Sequence, residues 1–162
     1  MNFLSADLYG RIEASMPIAC VDFVPVRDGR LGLIRRASPH GEVWCHLGGR
    51  VLRGETLADA LRRHCTETIG LVPVVGVDPQ PAYVYQWFPP GLAPVDGTAF
   101  GDDPRKHAIG LSFVVEVAGV ARPRGEALAF EYFSPDLLPQ PLWPGCRDLF
   151  VRMGVIPNPG GV

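Results

Sequence analysis

Between Leu47 and Leu71 the chain reads LGGRVLRGETLADALRRHCTETIGL, a segment that constrains the fold more than any other. Thr56 followed three places later by Asp59 is a capping box, which predicts a helix beginning near Leu57. Gly70 can take the left-handed conformation that closes a helix, and the Val72-Pro73 beyond it cannot continue one. The segment between is a helix of about four turns at 3.6 residues per turn. At about 100° per residue, Leu57, Leu61, Cys65 and Ile69 share one side of it, while Arg63 and Glu67 stand one turn apart on another. Ahead of the helix, Gly48-Gly49 is read as a sharp backbone turn that aims carbonyl oxygens at a bound group.

The rest of the 162 residues supplies strands and loops. Ser5 to Ser15 reads as a short amphipathic helix, Ile18 to Val26 as a strand, and Arg27-Asp28-Gly29-Arg30 as a hairpin turn into Leu31 to Ile34. Asp22 is the odd member of an apolar strand, since a buried acid is unfavourable unless it is paired or serves a site. Arg35-Arg36 then ends the second strand, Ser38 to Gly41 is a loop, and Val43 to His46 leads into the glycine pair. Further strands are expected at Val72–Val77, Ala82–Phe88, Ile109–Val117 and Ala127–Phe133, a helical turn at Pro135–Leu138, and a closing helix at Gly145–Met153. Pro89 to Lys106 is a loop long enough to carry function or disorder. This order of elements suits an α/β (α+β) fold, a mixed central sheet sandwiched between helices, with residues 1–162 forming one domain.

Composition narrows the partners. A net charge of -2, with no basic cluster beyond Arg35-Arg36 and Arg62-Arg63, argues against a nucleic-acid polymer. No apolar run approaches the roughly 20 residues of a membrane span, and Asp7 and Glu13 do not fit a signal sequence, so a cytoplasmic protein is expected. Cys20, Cys45, Cys65 and Cys146 form no CxxC pair, and reduced, buried cysteines are expected in place of disulfides or a zinc knuckle.

Gly49, Glu55, Arg63, Cys65, Glu67, Gly70 and Leu71 together resemble the Nudix box, whose pattern is Gly, five residues, Glu, seven residues, Arg-Glu-(apolar)-x-Glu-Glu-x-Gly-(apolar). His64 and Thr68 stand where that box has glutamates. Over nearly its whole length the chain is also similar to the GDP-mannose mannosyl hydrolase branch of that superfamily. The matches are Val21-Asp22-Phe23, Arg35, Trp44, Gly48-Gly49-Arg50-Val51, Glu55-Thr56-Leu57, Arg63 and Tyr132-Phe133-Ser134-Pro135-Asp136.

The resemblance implies a Nudix-like α/β/α sandwich and a magnesium- or manganese-dependent hydrolase of a nucleoside diphosphate linked to another group. A nucleotide sugar such as GDP-mannose or GDP-glucose is the implied substrate. By the same resemblance Gly48, Glu67 and Glu126 would hold the metal, with the late-helix carboxylate falling on either Glu67 or the position of Thr68. Asp22, Arg35, Arg50 and Arg63 would grip the ligand and its departing diphosphate, and a homodimer through the N-terminal helix is implied. The branch's catalytic histidine falls on Ala127 and a loop tyrosine on Ala108, so the base is sought among His107, His40, Asp102 and Asp103. The alternative reading is a Nudix-fold module that binds a nucleotide-like ligand without hydrolysing it, motivated by His64, Thr68 and the absent histidine.

Overall fold

The structure, a computed structural model, describes residues 4–96 and 98–161. In chain order its elements are α1 (Ala6–Ser15), β1 (Ile18–Arg27), β2 (Arg30–Ser38), β3 (Gly41–Cys45), β4 (Leu47–Arg50), α2 (Leu57–Ile69), β5 (Pro73–Val74), β6 (Tyr83–Phe88), β7 (Gly101–Asp102), β8 (Ala108–Val117), β9 (Ala129–Phe133) and α3 (Cys146–Arg152). They form the mixed α+β architecture expected from the sequence, a curled sheet of parallel and antiparallel strands with few helices.

β1 organises the sheet, because from Cys20 to Pro25 its side chains are all buried. A strand so enclosed needs partners on both edges for its backbone donors and acceptors. One edge runs parallel to β8, from Ile18 opposite Ala108 to Pro25 opposite Val115. The other edge changes partner midway. β4 pairs antiparallel with Cys20 to Phe23, and β2 takes over at Val26. That exchange curls the sheet, which continues from β2 to β3 and β9, and from β8 to β5 and β6. β7 adds in parallel beside β6.

Alternation along β1 points Val21 and Phe23 one way and Cys20 and Asp22 the other. Gly49 pairs with Val21 and lies against the His64 ring, which places α2 on the Val21 face. On the Asp22 face, Trp87 Nε1 donates to Asp22, and Tyr85 of the same strand donates its hydroxyl to Asp148 of α3. The sheet therefore sits between α2 and α3.

The expected ends of α2 are present: Thr56 accepts a hydrogen bond from the Asp59 amide at 3.1 Å, and Gly70 closes the helix at φ 71°. Leu61, Cys65 and Ile69 are fully buried, and Leu57 packs at the margin of the core. α1 is capped by Ser5 and buries none of its residues completely; only Tyr9 and Ile12 pack against the core.

Four local expectations need correction. Gly48-Gly49 is part of strand β4 and makes no turn: at Gly48, with φ 149°, a Cβ would run into the Val21 backbone, so glycine serves the close approach of β4 to β1. β2 continues through Arg35-Arg36 to Ser38 because β3 pairs along that length. The strand expected over Val72–Val77 shrinks to β5, whose Pro73 has no amide hydrogen to give to a ladder. Pro135–Leu138 makes a turn closed by the Leu137 amide to the Ser134 carbonyl, and Pro139 and Pro141 deny it the donors a helix needs. Among the described residues no helix is long and apolar enough to cross a membrane.

Leu61→Ala is expected to lower the free energy of unfolding by about 3 kcal/mol, the usual consequence of an emptied core position. Val77→Ala, at a fully exposed side chain, should change it by less than about 0.5 kcal/mol. Urea denaturation of both variants checks the placement of the α2 face.

Candidate active site

α2 is braced to the segment before it by one ion pair. Glu55 accepts hydrogen bonds from Arg63 Nε at 2.6 Å and Nη2 at 3.0 Å, and from the Leu52 amide at 2.9 Å. Arg63 Nη2 also donates to the Arg50 carbonyl at 3.0 Å. The Arg63 hydrogen bond holds the Glu55 carboxyl below its ordinary range against an opposing effect of burial, and Glu55 in turn raises the Arg63 pKa. Arg63 is therefore a strut of the loop, with its donors turned toward the protein.

His64 reinforces that strut. Its Nε2 lies 2.9 Å from the Arg50 carbonyl and 3.2 Å from Arg63 Nη2, and the shorter contact, to a group that only accepts, places the proton on Nε2. A Cβ on Gly49 would come within 2.5 Å of the ring's Cε1, so the imidazole fills the gap between α2 and β4. Burial lowers the His64 pKa, opposed by the bond to Arg50, and keeps the ring neutral at neutral pH. Thr68 is buried, whereas Glu67 is 51% exposed and 3.5 Å from Arg63 Nη1. Residues 122–126 dock at this end of the helix through the Arg122 and Arg124 amides, which donate to the Ile69 and Thr68 carbonyls. Glu67 and Glu126 thus belong to the same side of the molecule.

On the Asp22 face lies a pocket whose walls include Asp22, Arg36, His46, Arg105, Lys106 and Glu126, with Gly48-Gly49 at its margin. Asp22 is almost fully buried and held from two sides: Trp87 Nε1 donates to Oδ2 at 3.2 Å, and His46 Nε2 is 3.3 Å from Oδ1. His46 stacks on Trp87, and its Nδ1 faces the Cys146 sulfur at 3.5 Å. Burial pushes the Cys146 thiol well above its ordinary pKa, so it remains S–H.

Two ion pairs set the cations of this pocket. Arg36 Nη1 lies 2.7 Å from Glu126, and Arg105 makes a bidentate pair with Asp103 at 3.0 Å for both bonds. Both guanidinium groups also lie over the Trp143 ring, at 5.7 and 5.1 Å from its centre. Burial works to raise the Asp103 pKa, but the Arg105 hydrogen bonds outweigh it and hold the group below its ordinary value. Among the described residues Lys106 makes no salt bridge; its ammonium lies 3.4 Å from the Tyr9 hydroxyl.

Asp22, Gly48 and Glu126 line this pocket, whereas Glu67 is not among its walls. Arg35 does not join them: strand alternation sends its neighbour Arg36 inward, while Arg35 is 45% exposed and 3.7 Å from Glu42. Arg50 stacks over Tyr9 at 4.2 Å, on the groove beneath α1. His107 stacks on Phe88 at 4.3 Å outside the pocket walls, and His40 sits against Trp143 with Nε2 3.9 Å from Asp102. His46, Trp87, Arg105 and Lys106 are not assigned to a ligand by the sequence, which marks Arg36 only as half of the Arg35-Arg36 pair. Only the second place in the Arg35-Arg36 pair and the length of the Pro89–Lys106 loop pointed toward them.

The donors fit a divalent ion poorly. Of the oxygens expected to hold one, the Glu67 and Glu126 carboxylates each face an arginine, and the box positions of His64 and Thr68 offer an N–H already engaged and a buried hydroxyl. Among the described residues no three His, Cys, Asp or Glu side chains are grouped as a metal site. Magnesium requires hard oxygen ligands in near-octahedral array, and guanidinium groups paired to those oxygens oppose it.

The fold is that of a Nudix-like protein. A structure from Jonesia denitrificans, described as a possible asymmetric diadenosine tetraphosphate (Ap(4)A) hydrolase, superposes with a TM-score of 0.73 at 29% identity, covering 89% of this chain and 99% of that one. A MutT NUDIX hydrolase from Burkholderia pseudomallei matches with a TM-score of 0.66 at 23% identity over 88% and 99% of the two chains. An ADP-ribose pyrophosphatase from Streptococcus suis matches with 0.61 at 17% over 91% and 97%. No curated protein matches the chain by sequence. Residues 1–142 match the family described as Domain of unknown function (DUF4916), and the chain belongs to that family.

The Glu55 brace gives a pH signature. A carboxyl whose folded pKa lies below its unfolded value contributes stability that is present above the unfolded pKa and is lost as pH falls through the folded pKa. Wild type should therefore lose stability on acidification below about 4.3, the ordinary glutamate value. Glu55→Gln should be less stable at pH 7 and show a shallower decline there; parallel pH–stability curves for the two proteins would contradict the brace.

Proposed function

We propose that residues 1–162 act as one domain that hydrolyses a nucleoside diphosphate linked to another group, with a nucleotide sugar such as GDP-mannose or GDP-glucose as substrate. The observation that carries this reading is the convergence of Asp22, Arg36, Arg105 and Lys106 on one pocket beside Gly48-Gly49. The structures it resembles are named for hydrolysis of diadenosine tetraphosphate and of the ADP-ribose pyrophosphate, which supports the substrate class.

The two arginines and the lysine bind phosphate oxygens, and they stabilise the charge that grows on the departing diphosphate. Glu126 and Asp103 hold the guanidinium groups in place, and each guanidinium retains N–H donors beyond those its carboxylate uses. Asp22 takes the proton of the attacking water, whose oxygen forms the new bond as the bond to the diphosphate breaks. Its Oδ2 accepts one hydrogen bond, from Trp87, and its Oδ1 lies 3.3 Å from His46 Nε2, which leaves lone pairs for the water. Arg50 and Arg63 are positioning residues that fix the loop and β4; Arg35 and His107 do not touch the ligand in this reading.

The second reading, binding without hydrolysis, is favoured by the same replacement of box carboxylates by His64 and Thr68. A panel of nucleotide sugars and dinucleotides, assayed for nucleoside diphosphate release with magnesium, with manganese and with EDTA, separates the two. Turnover is expected for at least one nucleotide sugar, with Asp22→Asn slower by about a hundredfold or more, the usual loss of a general base. Saturable binding with no product for any compound would establish the second reading in its place.

A further inference from the structure

We infer that this site takes its diphosphate ligand without a divalent ion, the His64–Arg50 hydrogen bond and the cations of the pocket standing where the metal would act. The inference rests on the pocket being a nucleoside diphosphate site, and it goes beyond that reading in saying how the charge is met.

Two separate observations lead to it. The first is mechanical: an ion held between α2 and β4 would tie the helix to the glycine strand, and here a neutral imidazole does so. Its Nε2 hydrogen reaches the Arg50 carbonyl at 2.9 Å, and its edge fills the space over Gly49. The second is electrostatic. Glu67 and Glu126 already neutralise Arg63 and Arg36, so a dication at the same oxygens would displace those pairs and meet two guanidinium charges at close range. An anion entering the pocket meets Arg36, Arg105 and a Lys106 that carries no salt bridge among the described residues. Arg63, Glu55, Glu67 and Glu126 are the charged groups around His64, and the engagement of its Nε2 by Arg50 leaves no lone pair there for a metal.

The test measures binding of GDP, ADP, UDP and inorganic pyrophosphate to the full chain by calorimetry, in excess EDTA and in excess magnesium. The dissociation constant of the best ligand should agree between the two conditions within about threefold, and Lys106→Gln should weaken it by about tenfold in both. Lys106 is the preferred variant because its removal leaves no orphaned carboxylate. Thermal stability of the unliganded protein should be the same in EDTA and in magnesium. A tenfold or greater loss of affinity in EDTA would overturn the inference while leaving the nucleotide reading intact, and absence of binding in both conditions would overturn that reading and the inference with it. His64→Glu supplies a converse readout: manganese binding followed by electron paramagnetic resonance should be absent from wild type and gained by the variant. Tight manganese binding to wild type would contradict the inference.

Discussion

The partner exchange along one edge of β1 is the constraint on which the other features depend. A strand buried on both faces must satisfy both rows of backbone groups, and β1 does so by pairing first with β4 and then with β2. The same exchange sets Gly48 directly opposite Asp22 and Gly49 opposite Val21. One glycine therefore borders the pocket and its neighbour lies under the box helix. A side chain at Gly48 would push β4 off β1 and one at Gly49 would meet the His64 ring, which is why the pair is glycine although it makes no turn.

From that register the division of labour follows. On the α2 face, Glu55, Arg63 and His64 bind one another and the Arg50 backbone, so the box segment acts as a clamp. On the α3 face, Trp87 and His46 hold Asp22 at the pocket wall while β2 and the end of the long loop bring in Arg36, Arg105 and Lys106. The fold is that of Nudix hydrolases, and Glu67 and Glu126 each pair with an arginine.

Legibility in the sequence tracked the range of the interactions. The caps of α2, its buried face and the Asp28-Gly29 hairpin are set by neighbours within a few residues, and each lies where the pattern put it. Asp22 was visible because a carboxylate in an apolar strand needs a reason. Arg36 was hidden by a single step of alternation: resemblance carried Arg35, and only the pairing of β2 with β3 and β9 fixes which of the two faces inward. His46 between β3 and β4, Trp87 on β6 and Arg105 in the loop between β7 and β8 come together through contacts across tens of residues that no local pattern encodes. The glycine pair misled for a similar reason, since two glycines mark close backbone approach as readily as a turn.

A crystal of the protein grown with a nucleoside diphosphate and manganese, examined for anomalous scattering, addresses the central claim directly. The account predicts phosphate density contacted by Arg36, Arg105 and Lys106, with the His64–Arg50 bond kept and no anomalous peak at the Gly48 carbonyl. A manganese ion bound by Gly48, Glu67 and Glu126, with the two arginines swung off their carboxylates, would contradict it.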